Sequence, residues 1–218
     1  MPWTTPGTAV AGDVLTAAFW NSNVRDNMLM GNPVFTTEAA RDAVITSPVE
    51  GQRAYLTAPT IPAVTGDTYA SVPSGIETIY NGSVWVCVTE IGATTNTAGT
   101  TSSAPYTPTL TGGGTNPSVT IVTGTQALVS LSMISYQTTL ANNFISIAVS
   151  GATTLAAADA QSASVIVGDP AAGYNNPSSR TFVLTGLTGG TNTFTLNYKT
   201  GGGTMTATQR SLVVKGIA

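Results

Sequence analysis

The chain reads as a mainly β protein. It has a short N-terminal helical peg, a small α+β middle region with a β-hairpin, and a C-terminal antiparallel sandwich of jelly-roll type. Three observations predict this. Apolar and polar residues alternate strictly through several segments after residue 105, with no helical periodicity between them. Turns rich in Gly and Asn separate those segments at short intervals. Helical spacing of apolar residues is confined to two short stretches before residue 45.

Residues 1–12 contain Pro2, Pro6, Gly7 and Gly12 and should be extended. Thr16 can cap a helix whose apolar residues Phe19 or Trp20, Val24 and Met28 recur every three to four positions. Asn32 and Pro33 stop it. A second short helix is expected over Glu38–Val44, capped by Thr36 or Thr37 and ended before Ser47-Pro48. "GQRAYLTA" is a short strand. "IETIYNGSVWVCVTEI" is a hairpin, in which Asn81-Gly82 would supply the two positive φ angles of a type I′ turn. With Ser83 that dipeptide also matches a glycosylation sequon, but its turn role takes precedence. Trp85 follows the turn and is expected to pack the middle region.

From Gly92 to Ala104 the sequence "GATTNTAGTTSSA" has no large apolar residue and no charge, so it cannot order itself alone. It is therefore expected to be a linker. The division becomes a peg over residues 1–35, a middle region over 36–91, a linker over 92–104 and a head over 105–218. In the head, "TNTFTLNYK" directs Phe194, Leu196 and Tyr198 to one face. "ALVSLSMISY" does so with Ala127, Val129, Leu131 and Met133, and "FISIAVS" with Ile145, Ile147 and Val149. Further strands are "SVTIVTG", "ASVIVGD", "RTFVLTG" and "RSLVVKGI". About eight short strands without a helix between them indicate an antiparallel sandwich.

Composition narrows function. Charged residues are 8% of the chain and the net charge is −3, with seven Lys and Arg scattered along it. Binding a nucleic-acid backbone needs clustered cations, so that class is set aside. The absence of histidine removes Ser-His-Asp and Cys-His catalysis and histidine metal ligands. Cys87 is alone, which excludes an intrachain disulfide and a thiolate zinc site, and it is expected to be a small buried hydrophobe. A glycosidase needs two converging carboxylates. Asp67, Glu77, Glu90, Asp159 and Asp169 stand in no recognisable motif and read as solvated turn and strand-end residues. No cofactor is expected. Neither a signal peptide nor a membrane-spanning run is legible, and synthesis in a cytoplasm follows as the expectation.

The stretch "PWTTPGTAVAGDVLTAAFWNSNVRDNMLM" resembles the N-terminal signature of small tailed-bacteriophage structural proteins, of the minor tail protein and head fibre type. Trp3 to Pro6, Val10 to Ala17 and Asn21 to Asn27 carry the match. "ARDAVITSPVEGQRAYLT" and "IYNGSVWVCV" are similar to segments of phage fibre and appendage chains, and the head is similar to trimeric, tumour-necrosis-factor-like jelly rolls. The resemblance implies a virion surface protein fixed to capsid or tail proteins by its N-terminus. No coiled coil or repeat shaft stands between peg and head, which favours a stubby spike or knob.

On this reading Trp3, Phe19, Trp20, Val24 and Met28 are virion-docking anchors, with Arg25 and Asp26 fixing register. The alternatives are packing of Trp3 and Trp20 on the middle region, and a solvated face for Arg25 and Asp26. "DPAAGYNN" holds Asp169, Tyr174, Asn175 and Asn176, which read either as a receptor loop for a host surface glycan or as a plain surface loop. A homotrimer is expected, because closed symmetry buries apolar surface that a sandwich leaves outside. The rival functions are capsid decoration and, lower in rank, an appendage enzyme degrading polysaccharide.

Overall fold

The computed structural model describes residues 31–137, 139–167 and 175–218. Residues 1–30 of the peg, with all seven docking candidates, and Asp169 and Tyr174 lie outside the described residues. The elements run β1 (Val34–Phe35), α1 (Glu38–Val44), β2 (Arg53–Leu56), β3 (Ala63–Thr65), β4 (Ile76–Tyr80), β5 (Trp85–Cys87), β6 (Ile91–Thr95) and β7 (Gly99–Thr101). They continue with β8 (Ser118–Thr123), β9 (Gln126–Gln137), β10 (Ala141–Gly151), β11 (Ala163–Val167), β12 (Asn176–Thr185), β13 (Gly190–Thr200) and β14 (Met205–Ile217), with a 3-10 turn at Asp159–Gln161 before β11. The fold class is as expected: mainly β, one short helix, and antiparallel sheets in a jelly-roll-like sandwich.

Sheet I has the order β1-β2-β4-β5. Sheet II is β11-β10-β13-β8-β3, and sheet III is β12-β9-β14-β6, with β7 also paired to β14. Sheets II and III form the sandwich. Alternation sorts their residues as the sequence predicts: Phe194, Leu196 and Tyr198, the four β9 residues and the three β10 residues all lie in one core. The short helix also forms where expected. Thr37 is extended, and its hydroxyl accepts the Ala40 N–H at 3.3 Å, satisfying one free donor of the first turn.

Two expectations need correction. The hairpin turn is not type I′, since only Gly82 takes a positive φ, +89°. Tyr80 pairs with Trp85, leaving a four-residue loop. Asn81 closes it with its side chain, Oδ1 accepting the Ser83 and Val84 N–H groups at 3.1 and 2.9 Å. The amide oxygen does what a second left-handed residue would otherwise do.

The second correction concerns the linker. Residues 91–95 form β6 and pair with Arg210 to Val214 of β14, while β7 pairs with Met205 to Ala207. β3, in the middle region, pairs with β8. Residues after 105 thus supply seven strands of the sandwich, and three more come from before the expected boundary. The segment orders through backbone hydrogen bonds to a neighbour distant in sequence, with only small side chains such as Ala93 and Thr95 to bury.

Two arginines close the lateral edges. β14 bulges between Thr208 and Ser211, with Gln209 at φ +46°, and this turns Arg210 inward, 1% exposed. Its guanidinium donates to the Thr97 carbonyl at 2.8 Å, to the Gly113 carbonyl, and to the Tyr198 hydroxyl at 3.4 Å. It thereby ties the β6–β7 turn to the loop before β8. At the other edge Arg180 of β12 donates to the carbonyls of Ala160 and Ser162 at 2.7 and 3.0 Å.

Replacing Arg210 by Met keeps much of the volume but orphans buried carbonyls, and should cost about 3 kcal/mol. Urea unfolding of Arg210→Met against wild type measures it. A fragment of residues 105–218 lacks β3, β6 and β7 and leaves β14 an edge strand. It is expected to melt well below a fragment of residues 59–218 by circular dichroism.

Candidate functional site

The sandwich has two distinct ends. At one, β8 ends and β9 begins at Thr123 to Gln126, β12 and β13 turn over Thr185 to Gly190, and β14 finishes at Ile217. Sheet I packs here, through β5. A Cβ placed at Gly216 would lie 2.6 Å from the Cys87 carbonyl and 3.3 Å from that of Val122, so only glycine lets β14 and β5 approach. A Cβ at Gly124 would lie 2.8 Å from Asn81 Nδ2, which brings the hairpin loop to the same end. β1, where the described chain begins, is the strand of sheet I farthest from β5.

Sheet I carries the one α-helix of the described residues. Arg41, 4% exposed, lies over the Trp85 ring at 4.4 Å and bonds Asp42 at 2.9 Å. Tyr80 packs on Trp85 with centroids 5.5 Å apart. Trp85 thus packs the middle region as expected. Arg41, Trp85, Leu56, Ile76, Cys87 and Val122 are among the residues lining a cleft of about 180 Å³ between sheet I and the sandwich. Burial pulls the Glu38 carboxyl upward, but hydrogen bonds from the Thr60 and Ile61 N–H groups outweigh it and hold it below its ordinary range. Burial also raises the Cys87 thiol to about 11.

The opposite end holds the end of β9 at Gln137, the start of β10 at Ala141, the end of β11 at Val167, the start of β12 at Asn176 and the Thr200–Met205 turn. Gln137 donates to Thr139 O at 2.7 Å, Thr200 donates to Gln137 Oε1 at 3.1 Å, and Gly201 N–H to Asn142 O at 2.8 Å, joining β9 and β10 to this turn. Leu140 is 72% exposed and Ile166, on β11, 69%. Of the receptor candidates, Asn175 is exposed and Asn176 is the first residue of β12, opposite Ser135. The N-terminal module and the exposed Leu140, Ile166 and Asn175 therefore lie at opposite ends.

The outer faces of the two sheets also differ. Sheet II is covered by its own chain. Lys199 ion-pairs with Asp159 at 2.5 Å, its ammonium lies 4.9 Å from the Tyr106 ring and 4.5 Å from that of Phe144, and the Tyr106 hydroxyl donates to Asp159 at 2.9 Å. Ser146 donates to Ala158 O at 2.9 Å, so the 158–162 turn lies across this face. Burial pushes the Tyr106 phenol to about 12, while the Lys199 ammonium and then the Tyr106 hydroxyl hold Asp159 below the usual carboxylate range. Sheet III instead turns Leu128, Ser132, Ile134, Val183 and Val213 outward in register, with Lys215 as the one ion among its outward positions.

Three of the carboxylates considered from sequence, Asp67, Glu77 and Asp159, are tied up separately. Glu77 pairs with Arg53 at 2.5 Å on sheet I. Asp67 accepts from Thr68 and the Asn96 N–H, and hydrogen bonding led by the Thr97 hydroxyl lowers its pKa. Among the described residues no group of three His, Cys, Asp or Glu side chains could hold a metal ion, and no helix is long and apolar enough to cross a membrane. The charge-poor face of sheet III was legible as Ser at alternate positions of "ALVSLSMISY". The Lys199 cage was not, because its members are far apart in sequence.

The fold defines a jelly-roll-like β-sandwich carrying a small α+β module at one end. No family profile and no curated protein matches the sequence. Among solved structures the chain is similar to the Eiger TNF of S. frugiperda, with TM-score 0.40 and 13% identity over 59% of this chain and 93% of that one. It is similar to a chain of infectious bursal disease virus, Gx strain, with TM-score 0.37 and 12% identity over 77% and 51%. A third similarity is to the enzymatically active domain of tailspike protein 4 of bacteriophage CBA120, with TM-score 0.25 and 16% identity over 56% and 19%. These are distant likenesses of fold.

Two outcomes are expected. Cys87, buried with a raised pKa, should react with a thiol reagent at pH 8 only after denaturation, as followed by absorbance. Lys199→Met should raise the Asp159 pKa toward its ordinary value, read by carboxyl-carbon NMR titration. The Asp159 pKa is depressed in the folded state, so its contribution to stability is present above the unfolded pKa and lost as pH falls through the folded one. Lys199→Met should flatten that acid limb.

Proposed function

We propose that this chain is a bacteriophage virion surface protein: a short spike or knob anchored through its N-terminus, presenting the sandwich for host attachment. The observation that carries this reading is the opposition of the two ends. The N-terminal module packs at one end of the sandwich, and the exposed turns with Leu140, Ile166 and Asn175 stand at the other. A protein held by its N-terminus would turn those loops outward. The N-terminal sequence resemblance supports the anchor, and the low charge suits life within an assembly. Capsid decoration is the second reading, and copy number per particle separates the two.

In the assembly the chain forms a homotrimer through the outer face of sheet III. That face lacks the covering segments of sheet II, and its single cation leaves little repulsion between copies. Its serines and threonines pair along the face, Ser130 with Thr181 at 2.8 Å and Thr94 with Ser211 at 3.3 Å, which lowers the cost of covering them.

The anchor is tested by Phe19→Ala with Trp20→Ala. The variant should be absent from gradient-purified particles by immunoblot, while its melting temperature stays at the wild-type value. Normal incorporation would place attachment elsewhere. For the trimer, Ile134→Glu with Val213→Glu should convert the species seen by light scattering to a monomer. A wild-type monomer at micromolar concentration would remove the trimer from the proposal.

A further inference from the structure

The sequence has one Asn-Gly dipeptide, Asn81-Gly82, and the fold places it in the loop between Tyr80 and Trp85. Such a pair can rearrange by itself. The glycine nitrogen reaches the asparagine Cγ to close a five-membered ring, and glycine, having no Cβ, leaves that nitrogen unshielded. In this loop the nucleophile is free: Gly82 is exposed, and its N–H has no acceptor among the described residues.

The electrophile is held. Asn81 Oδ1 accepts the Ser83 and Val84 N–H groups at 3.1 and 2.9 Å, and the Asn81 N–H donates to the Val84 carbonyl at 3.1 Å. A Cβ at Gly124 would lie 2.8 Å from Asn81 Nδ2 and 2.9 Å from the Ile217 carbonyl, so the amide nitrogen sits close against the β8–β9 turn. Ring closure brings Gly82 N to Cγ from outside the amide plane, which turns the amide about the Asn81 Cα–Cβ and Cα–C bonds. The bonds at Oδ1 and the seat against Gly124 oppose that turn, so the loop must open first.

We propose that Asn81-Gly82 is a modification site gated by the fold: inert while the hairpin is seated on Gly124, and self-modifying once it opens. On opening, hydroxide takes the Gly82 amide proton, the nitrogen lone pair forms a bond to Cγ, and the Cγ–Nδ2 bond breaks as ammonia leaves with a proton from water. The product is a succinimide. Water then adds to one of its two carbonyls. Cleavage of the ring nitrogen from Cγ leaves aspartate, and cleavage from the main-chain carbonyl leaves isoaspartate. Isoaspartate puts an extra methylene into the main chain of a loop that must span from Tyr80 to Trp85. Aspartate adds a charge to a cleft that Asn81 lines together with Glu50. Either product marks a hairpin that has left its seat, and the site does not rest on the host-attachment reading.

The full chain is incubated in mildly alkaline buffer, folded and in unfolding urea, and peptide mass spectrometry with isoaspartate-specific methylation follows position 81. Asn81 should be lost roughly tenfold or more slowly in the folded chain, because only the locally opened fraction reacts. Gly124→Ala puts a methyl against Asn81 Nδ2 and should bring the folded rate toward the rate in urea, with circular dichroism establishing that the variant is folded. Equal wild-type rates in the folded and unfolded chain overturn the gate, and this comparison decides alone if Gly124→Ala does not fold. No loss of Asn81 in urea overturns the modification itself. A folded Gly124→Ala that loses Asn81 as slowly as wild type overturns the seat as the gate.

Discussion

The sandwich depends on β14 being an interior strand. It pairs with β9 on one side and with β6 and β7 on the other, so the last strand made holds strands made much earlier. Long-range pairing of this kind gives no local stability while it forms, since the loop-closure entropy is lost before the contacts are gained. The bulge at Gln209 is what lets Arg210 leave the ladder and reach the Thr97 and Gly113 carbonyls. At the end of the same strand, Gly216 admits β5. Sheet closure, edge closure and the seat of the N-terminal module therefore meet on one strand.

A chain with 8% charged residues uses its cations sparingly. Arg210 and Arg180 serve backbone carbonyls, Arg41 lies on an indole, and Lys199 sits between two aromatic rings beside Asp159. Each links segments distant in sequence. A guanidinium suits this work because it presents five donors in a plane and is more weakly hydrated than an ammonium. The consequence reaches the surface: with these four cations committed to tying the fold, the outer face of sheet III is left, apart from Lys215, to serines, threonines and aliphatic residues.

The two ends of the molecule differ chemically as well as in position. The end beside sheet I is closed by glycine-mediated contact and buries the Asn192–Thr123 hydrogen bond, whereas the far end buries a larger neutral polar set, Ser135, Gln137, Asn143 and Thr200. Polar layers hold sheets together less firmly than apolar ones, because their hydrogen bonds are exchanged against water rather than gained outright.

Residue order alone determined the elements whose signals are local. The Glu38–Val44 helix follows from its cap and its Ser47-Pro48 stop, and the strands β9, β10 and β13 follow from alternation, because side-chain direction repeats every second residue whatever the partner. The burial of Cys87 and Trp85's place in the middle region were legible for the same reason. Tertiary structure alone decided the rest. Residues 92–101 look like a linker by composition and form strands because β14 offers a ladder, which lies far from them in sequence. The turn at Asn81 departs from type I′ because a side-chain oxygen took over a backbone role. Of the candidate site, exposure of Asn175 was readable, but the hydrogen bond from Asn143 to Ser135 across the two sheets was not, because only the tertiary structure sets which strands of the two sheets face each other.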